Sequence, residues 1–278
     1  MKTFIRILLI LLALALLTFL TQVGGVWLLL SLPLMAWLAP KGRLRAHRRL
    51  IRMGCFFGVY LMGNALILPP VAKALSGRVP LPLRQTDHVQ PLRLGYALLN
   101  RHYVRPGLKS LLFEAADAMQ ERFPGTVVAY LDAGFPLFDG YPLLPHRSHD
   151  DGRKVDFCFL YEEAETGEPL NAVAKSYVGY GGVEGPKPGE RNQPQRCTDQ
   201  GYWQYDLLSK LIIFPRTDRT FDMERNRYLL RWLATQRATG KIFIEPHLKT
   251  RLGLGRYNKI RFHGCPAVRH DDHIHLQL

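Results

Sequence analysis

The sequence predicts an α+β domain preceded by a helical membrane anchor, and three observations carry that prediction. Residues 1–79 hold long apolar runs, ten Lys/Arg and no Asp or Glu. Beyond residue 105, helix-like and strand-like segments mix without a regular βαβ order, which favours α+β over a doubly wound sheet. Seven of the ten histidines lie after residue 145, six of them in or beside two short groups.

A length of 278 residues and a hydrophobic content of 47 % suit a folded domain plus an appendage, and exclude a disordered or collagen-like chain. The formal charge is +14, of which +10 sits in residues 1–79 beside the apolar runs. A basic excess in that position marks a membrane segment, so no nucleic-acid partner is expected.

The run at 7–20 is almost unbroken Leu, Ile and Ala. A second run, 26–38, follows Thr21-Gln22-Val23-Gly24-Gly25, a tight-turn sequence. One helix over 5–39 would be roughly 50 Å long against a hydrocarbon core of about 30 Å, so two spans are expected, near 5–21 and 24–39. Lys41, Arg43, Arg45, Arg48, Arg49 and Arg52 come next, then a third span near 53–72 that Pro69-Pro70 should end. Lys2 and Arg6 hold the N-terminus in the cytoplasm and the basic loop belongs there too, so the third span delivers the rest of the chain outside. A cleaved signal peptide is disfavoured, because the apolar sequence continues past any convincing cleavage site. Residues 1–79 are thus the expected anchor, 80–105, with Pro80, Pro82 and Pro91, a linker, and 106–278 an exported domain.

Within that domain Leu108, Leu111, Leu112, Ala115, Ala116, Met119 and Phe123 recur at helical spacing, with Gly125 as the stop. Strands are expected at 126–131 and 155–161, a loop at 179–189 and a strand at 207–214. A helix at 222–238 capped by Asp222, a short strand at 242–244, a short helix at 247–254 and a final strand at 273–278 complete the order. Cys55 lies in a span and Cys158 in an apolar strand. Cys197 and Cys265 flank loop-like sequence and are candidates for one disulfide, with free thiols as the alternative.

The chemistry-bearing groups are His146-Arg-Ser-His149-Asp-Asp-Gly152-Arg-Lys-Val-Asp156 and His270-Asp-Asp-His273-Ile-His275, with His263 just upstream of the second. An H-x-H is expected about 0.4 times by chance in this composition, so the joint arrangement carries the weight. Zinc favours imidazole nitrogen and carboxylate oxygen, and an open hydrolytic site uses three protein ligands plus water. His149 and Asp156 converge if the chain folds back at Gly152, a residue free to take positive φ. Strand period puts His273 and His275 on one face, one placed for the metal and the other beside its water. The chain contains no H-E-x-x-H, C-x-x-C, G-x-S-x-G or Walker A motif, which leaves helical zincins, zinc ribbons, serine hydrolases and NTPases without support.

Ser148-His149-x-x-Gly152-x-x-x-Asp156 together with His273-x-His275 resembles the signature of the LAS metallopeptidases, and within them that of the penicillin-insensitive murein endopeptidases. Segments 140–156, 225–234, 241–249 and 269–278 carry the likeness; 162–219 matches only loosely, and the anchor is a departure from a soluble periplasmic family. The resemblance implies a small antiparallel sheet with flanking helices and a Zn²⁺ ion held by His149, Asp156 and His275. It implies His273 as the catalytic base or oxyanion stabiliser, with His146 and His270 lining the site against substrate. The implied reaction is hydrolysis of D-Ala–meso-diaminopimelate cross-links of peptidoglycan, by a domain in the periplasm anchored to a bacterial inner membrane. A D,D-carboxypeptidase or dipeptidase acting on stem peptides, and a non-catalytic zinc module binding cell wall or a protein partner, are the alternatives.

Outside the two groups, His47, His88, His102 and His247 read as surface or satisfied core, and His263 as structural. Asp150, Asp151, Asp271 and Asp272 read by default as solvated loop carboxylates, with orientation of the neighbouring imidazoles as the alternative, and Phe221, Tyr228 and Trp232 read as core. Arg191 and Arg196 belong to a solvated loop or meet acidic groups of the substrate.

Overall fold

The computed structural model describes residues 2–39, 44–211 and 216–278, without the side chains of residues 2 and 3. Lys41 and Arg43 of the basic loop, and 212–214 of the strand expected at 207–214, lie outside these residues. Helices α1 (Lys2–Thr21) and α2 (Gly24–Leu38) form a hairpin at the expected turn. The helices pass so closely there that a Cβ on Gly25 would lie 2.2 Å from Thr18 Oγ1 and 3.1 Å from Leu14 O, so a larger residue would have to displace the Thr18 hydroxyl. Helix α3 (Arg45–Met62) continues through a π-turn, Gly63–Ile67, into α4 (Leu68–Ser76), so Pro69-Pro70 does not end the helix as expected. Both prolines sit in the first turn of α4, where the wider π-turn accommodates their missing N–H groups. The stop comes at Gly77, in the left-handed region with φ 68°.

Among the described residues two helices, not the three expected, are long and apolar enough to cross a membrane: Phe4–Thr21 and Arg45–Ser76. Helix α2 packs against α1 and α3 but has 15 residues. Its length of about 22 Å falls short of a hydrocarbon core of about 30 Å. The end of the bundle that holds Thr21 and Gln22 is built into the rest of the chain. Asn100 Nδ2 donates to Thr21 O at 3.2 Å, Leu137 N to Gln22 Oε1 at 2.6 Å, and Tyr141 Oη to Thr18 O at 2.7 Å.

Strands β1 (Val79–Pro80) and β2 (Val89–Pro91), helix α5 (Leu94–Leu98) and strand β3 (Tyr103–Val104) occupy the stretch expected as a linker; β1 pairs with β3, and β2 edges the main sheet. The chain continues through α6 (Pro106–Arg122), β4 (Val128–Tyr130), β5 (Lys154–Cys158), β6 (Tyr161–Glu163) and β7 (Pro169–Leu170). After these come α7 (Gln193–Asp199), α8 (Leu207–Leu211), β8 (Arg219–Phe221) and α9 (Met223–Thr235), then β9 (Lys241–Phe243), α10 (Pro246–Arg251), β10 (Ile260–Arg261) and β11 (His273–Gln277). The main sheet runs β10-β9-β11-β5-β4-β2. Its inner four strands are antiparallel, and each edge strand is parallel to its neighbour. The fold is therefore mixed α and β around small sheets.

Residues 207–211 are helical, not the expected strand. A short apolar run does not distinguish the two by periodicity, and Ser209 Oγ closes a local turn by donating to Asp206 O at 2.9 Å. Helix α9 starts as expected, with Asp222 accepting from Arg225 N at 2.9 Å. Cys197 and Cys265 form a disulfide, and Cys55 and Cys158 are buried free thiols.

The core fixes where chemistry can sit. Val155, Phe157, Ile274 and Leu276 pack with Leu108 and Leu112 of α6 and Leu229 and Leu233 of α9, and burying each such side chain stabilises the fold by about 1.5–3 kcal/mol. Strand alternation then sends Asp156, His273 and His275 to the opposite face.

Candidate metal centre

Two strands and one loop build the site. In the β5–β11 register His275 lies opposite Asp156 and His273 opposite Cys158. The 131–153 loop folds back onto these strands, turning into β5 at Gly152, whose φ is 72°. Backbone bonds from Leu131 N to Asp156 O and from Asp156 N to Asp132 O, both 2.7 Å, pin the loop's first residues to β5.

His149 Nδ1 donates to Ala133 O at 2.6 Å, which leaves the Nε2 lone pair facing inward. That Nε2 is 3.0 Å from His275 Nδ1 and 3.1 Å from Asp156 Oδ1, and His275 Nδ1 is 2.9 Å from the same Oδ1. Zinc bonds of about 2.0–2.1 Å at tetrahedral angles would put ligand atoms about 3.3 Å apart. Two imidazoles and a carboxylate, all buried and converging at this spacing, fit a divalent ion.

The second carboxylate oxygen faces a different set. His146 Nδ1 lies 3.4 Å and His273 Nε2 3.6 Å from Asp156 Oδ2, and Tyr180 Oη donates to it at 2.9 Å. His146, Asp156 and His273 form a second group spaced to hold a metal ion. His273 Nδ1 donates to Asp272, whose other oxygen accepts from Gly181 N. His273 Nε2 is buried with no hydrogen-bond partner, as are His146 Nε2 and His275 Nε2. His270 is buried with its ring centroid 4.9 Å from that of His273 and 5.7 Å from that of His275.

Burial penalises every charge here, and neighbours decide the outcome. For His275 burial dominates over the pull of Asp156 and pushes it down to about 4, which keeps the imidazole neutral as a ligand must be. For His273 burial is outweighed by Asp156 and Asp272, which push it up to about 9. Burial would raise Asp156, yet the surrounding His149, His273 and His146 hold it well below the usual carboxylate range. Burial, helped by His273 and His275, keeps His270 well below its ordinary value.

All six histidine and aspartate residues singled out by the sequence therefore meet at one place. Asp271 and Asp272 are buried and not in solvent, the default expectation: Asp271 pairs with Arg269 at 2.7 Å, and Asp272 orients His273, the alternative one. Their burial follows from the packing of the segment that leads into β11 against the 179–185 loop, where Glu184 N donates to Asp271 O at 2.6 Å. Asp150 and Asp151 pair with Lys154 near the surface, and His247 is a core residue whose Nε2 faces Glu184 O at 2.7 Å. Arg191 Nε donates to Gln193 Oε1 at the start of α7, and Arg196 is exposed on that helix and not in the expected loop. His263 is more than structural filling, since it stacks on His270 with centroids 5.5 Å apart and lines the same cleft.

Sequence reasoning missed three supports. Asp132 Oδ2 accepts from Arg101 Nη2 at 2.9 Å and faces His146 Nδ1 at 3.3 Å, while Tyr180 ties Asp132 N to Asp156. A lone aspartate ending the apolar run before Gly134 was the available signal for Asp132, and an aromatic set among glycines the signal for Tyr180. A cleft of 590 Å³ opens beside the cluster, lined by His146, His263, His270 and His275 with Leu208 and Val268. The arrangement can hold a cation at the floor of a groove, with an oriented imidazole next to it.

No protein-family model matches the chain, and no curated protein matches it significantly.

Proposed function

We propose that the chain is a membrane-anchored zinc peptidase that hydrolyses peptide cross-links of peptidoglycan. The observation that carries this reading is the triangle of His149 Nε2, Asp156 Oδ1 and His275 Nδ1, with 2.9–3.1 Å sides, beside an unpartnered His273 Nε2. The family likeness of the two histidine segments supplies the substrate class.

His149, Asp156 and His275 hold the ion, which when bound supplies Lewis acidity and a water of pKa near 7. Because Asp272 occupies Nδ1, the buried Nε2 of His273 is left beside Asp156 Oδ2 at 3.6 Å, from where it would take the water's proton and pass it to the leaving amine. A cation on Asp156 would offset part of the pull that raises His273, leaving its imidazole better able to accept a proton. Asp132, Tyr180 and Arg101 fix the angle of Asp156 and His146, and His146 and His270 flank the reacting carbonyl.

The arginines at the start of α3 and Arg6 lie at the bundle end away from the domain, so the positive-inside rule supports a domain facing the periplasm. Alkaline phosphatase fused after Pro80 should be active, and activity of a cytoplasmic reporter at that position would remove the substrate from reach.

The deciding experiment is mass analysis of purified peptidoglycan after incubation with the detergent-solubilised full chain. Cross-linked dimers should become monomers, chelation should block this, and added zinc should restore it. Stems shortened by one D-Ala would select the carboxypeptidase. No change by a zinc-loaded protein would reject hydrolysis and leave a binding module.

A further inference from the structure

We propose that the anchor carries a binding site for one anionic phospholipid, with the headgroup among arginines at the α3 end and an acyl chain in the groove between α1 and α2. This inference rests on the two long apolar helices lying in a bilayer and is independent of the peptidase reading.

Two adjoining clefts describe the ligand. The first, of 460 Å³, is lined by Arg6, Arg45, Arg48, Arg49 and Arg52. Residues 1–79 contain no Asp or Glu, so the anchor offers Arg6, Arg45, Arg49 and Arg52 no carboxylate of its own. Arg45, Arg48, Arg49 and Arg52 recur at helical spacing, so they share one side of α3, and the first turn of that helix contains no acid. That end of a helix carries the positive pole of the backbone dipoles, so it too favours an anion.

The second cleft, also 460 Å³, shares Arg6 and Arg52 with the first and continues as an apolar groove lined by Leu9, Ala13, Leu28, Leu32 and Met35. A soluble anion would use the arginines and have no need of the groove. A zwitterionic lipid would fill the groove but bring a cation among the arginines. A phospholipid with net negative charge matches both halves, as basic pockets between membrane helices do for acidic headgroups.

The test is native mass spectrometry of the full chain reconstituted in bilayers containing equal phosphatidylcholine and phosphatidylglycerol, with retained lipid read directly. The wild-type chain should retain phosphatidylglycerol preferentially, and millimolar inorganic phosphate should not displace it. Arg6→Gln with Arg52→Gln should weaken that retention roughly thirtyfold, from about fivefold per arginine. Ala13→Trp, which fills the groove and leaves every arginine in place, should also release the lipid. Equal retention of phosphatidylcholine, displacement by phosphate, or undiminished retention in both variants would each overturn the proposal. The first two readouts use the unaltered chain, so a misfolded variant does not protect the idea.

Discussion

Arg78 lies directly beneath Gly152. A Cβ on that glycine would come within 2.9 Å of Arg78 Nε and 3.1 Å of its Cδ. Arg78 is fully buried, and it donates to Phe135 O, to Asp139 and, at 2.9 Å, to Asp150 O. It follows Gly77, the stop of α4, so the residue that leaves the long apolar helix also props the loop bearing His146 and His149.

Gly152→Ala should therefore be costly twice, through a φ of 72° that alanine resists and through the contact with an immobile guanidinium. A loss of about 1–3 kcal/mol in denaturant unfolding is expected, with weaker metal retention because His149 shifts with the loop. An unchanged midpoint would mean that Arg78 yields easily.

Removing one corner of the triangle should release the ion. Asp156→Ala and His275→Ala should each bring zinc well below one per chain by elemental analysis, while His146→Ala should retain it. Loss of zinc in His146→Ala instead would move the primary site to the second carboxylate oxygen.

His273→Ala should keep zinc and lose hydrolysis by about 10²–10⁴-fold, the usual contribution of a positioned acid or base. Asp272→Asn should cost about 10–100-fold by freeing the imidazole that it orients. Full activity in His273→Ala would refute its role as the proton carrier.

Acid should destabilise the folded chain partly through His102, which burial, with Lys109 nearby, pushes down from 6.5 to about 4. The unfolded chain binds this proton first as pH falls, so the contribution is complete above pH 6.5 and is lost between 6.5 and about 4. His102→Asn should flatten the pH dependence of unfolding in that window by a few kcal/mol, and identical slopes for both chains would refute it.

The Cys197–Cys265 disulfide spans 68 residues and ties α7 to the segment leading into β11. Reduction, or the Cys197→Ser/Cys265→Ser pair, should lower stability by about 2–4 kcal/mol. Thermal melting with and without reductant measures this, and coincident curves would count against it.

Much of the site was legible because its spacing is local. A period of two puts His273 and His275 on one face of a strand whatever the rest of the chain does, and a glycine four residues before Asp156 permits the turn that brings His149 back. The helix over Leu108–Phe123 positions and the Asp222 cap were readable for the same reason: each depends on residues within a few positions of one another. The apolar run at 207–211 was not readable as helix, since too few residues separate a period of 3.6 from one of 2.

What tertiary structure decided was burial and partnership between segments far apart in sequence. Asp132, Tyr180 and Asp272 became supports of the cluster only when their loops closed over β5 and β11, and no spacing rule relates them. The π-turn that carries a helix through Pro69-Pro70, and the adjoining arginine and apolar clefts, likewise depend on backbone adjustment and on the packing of helices against one another. Sequence by itself determined which residues could do chemistry and on which face they lie, because those follow from covalent geometry. Which of them meet, and what holds them at an angle, was decided by long-range packing, because desolvation and hydrogen-bond partners exist only once distant segments are brought together.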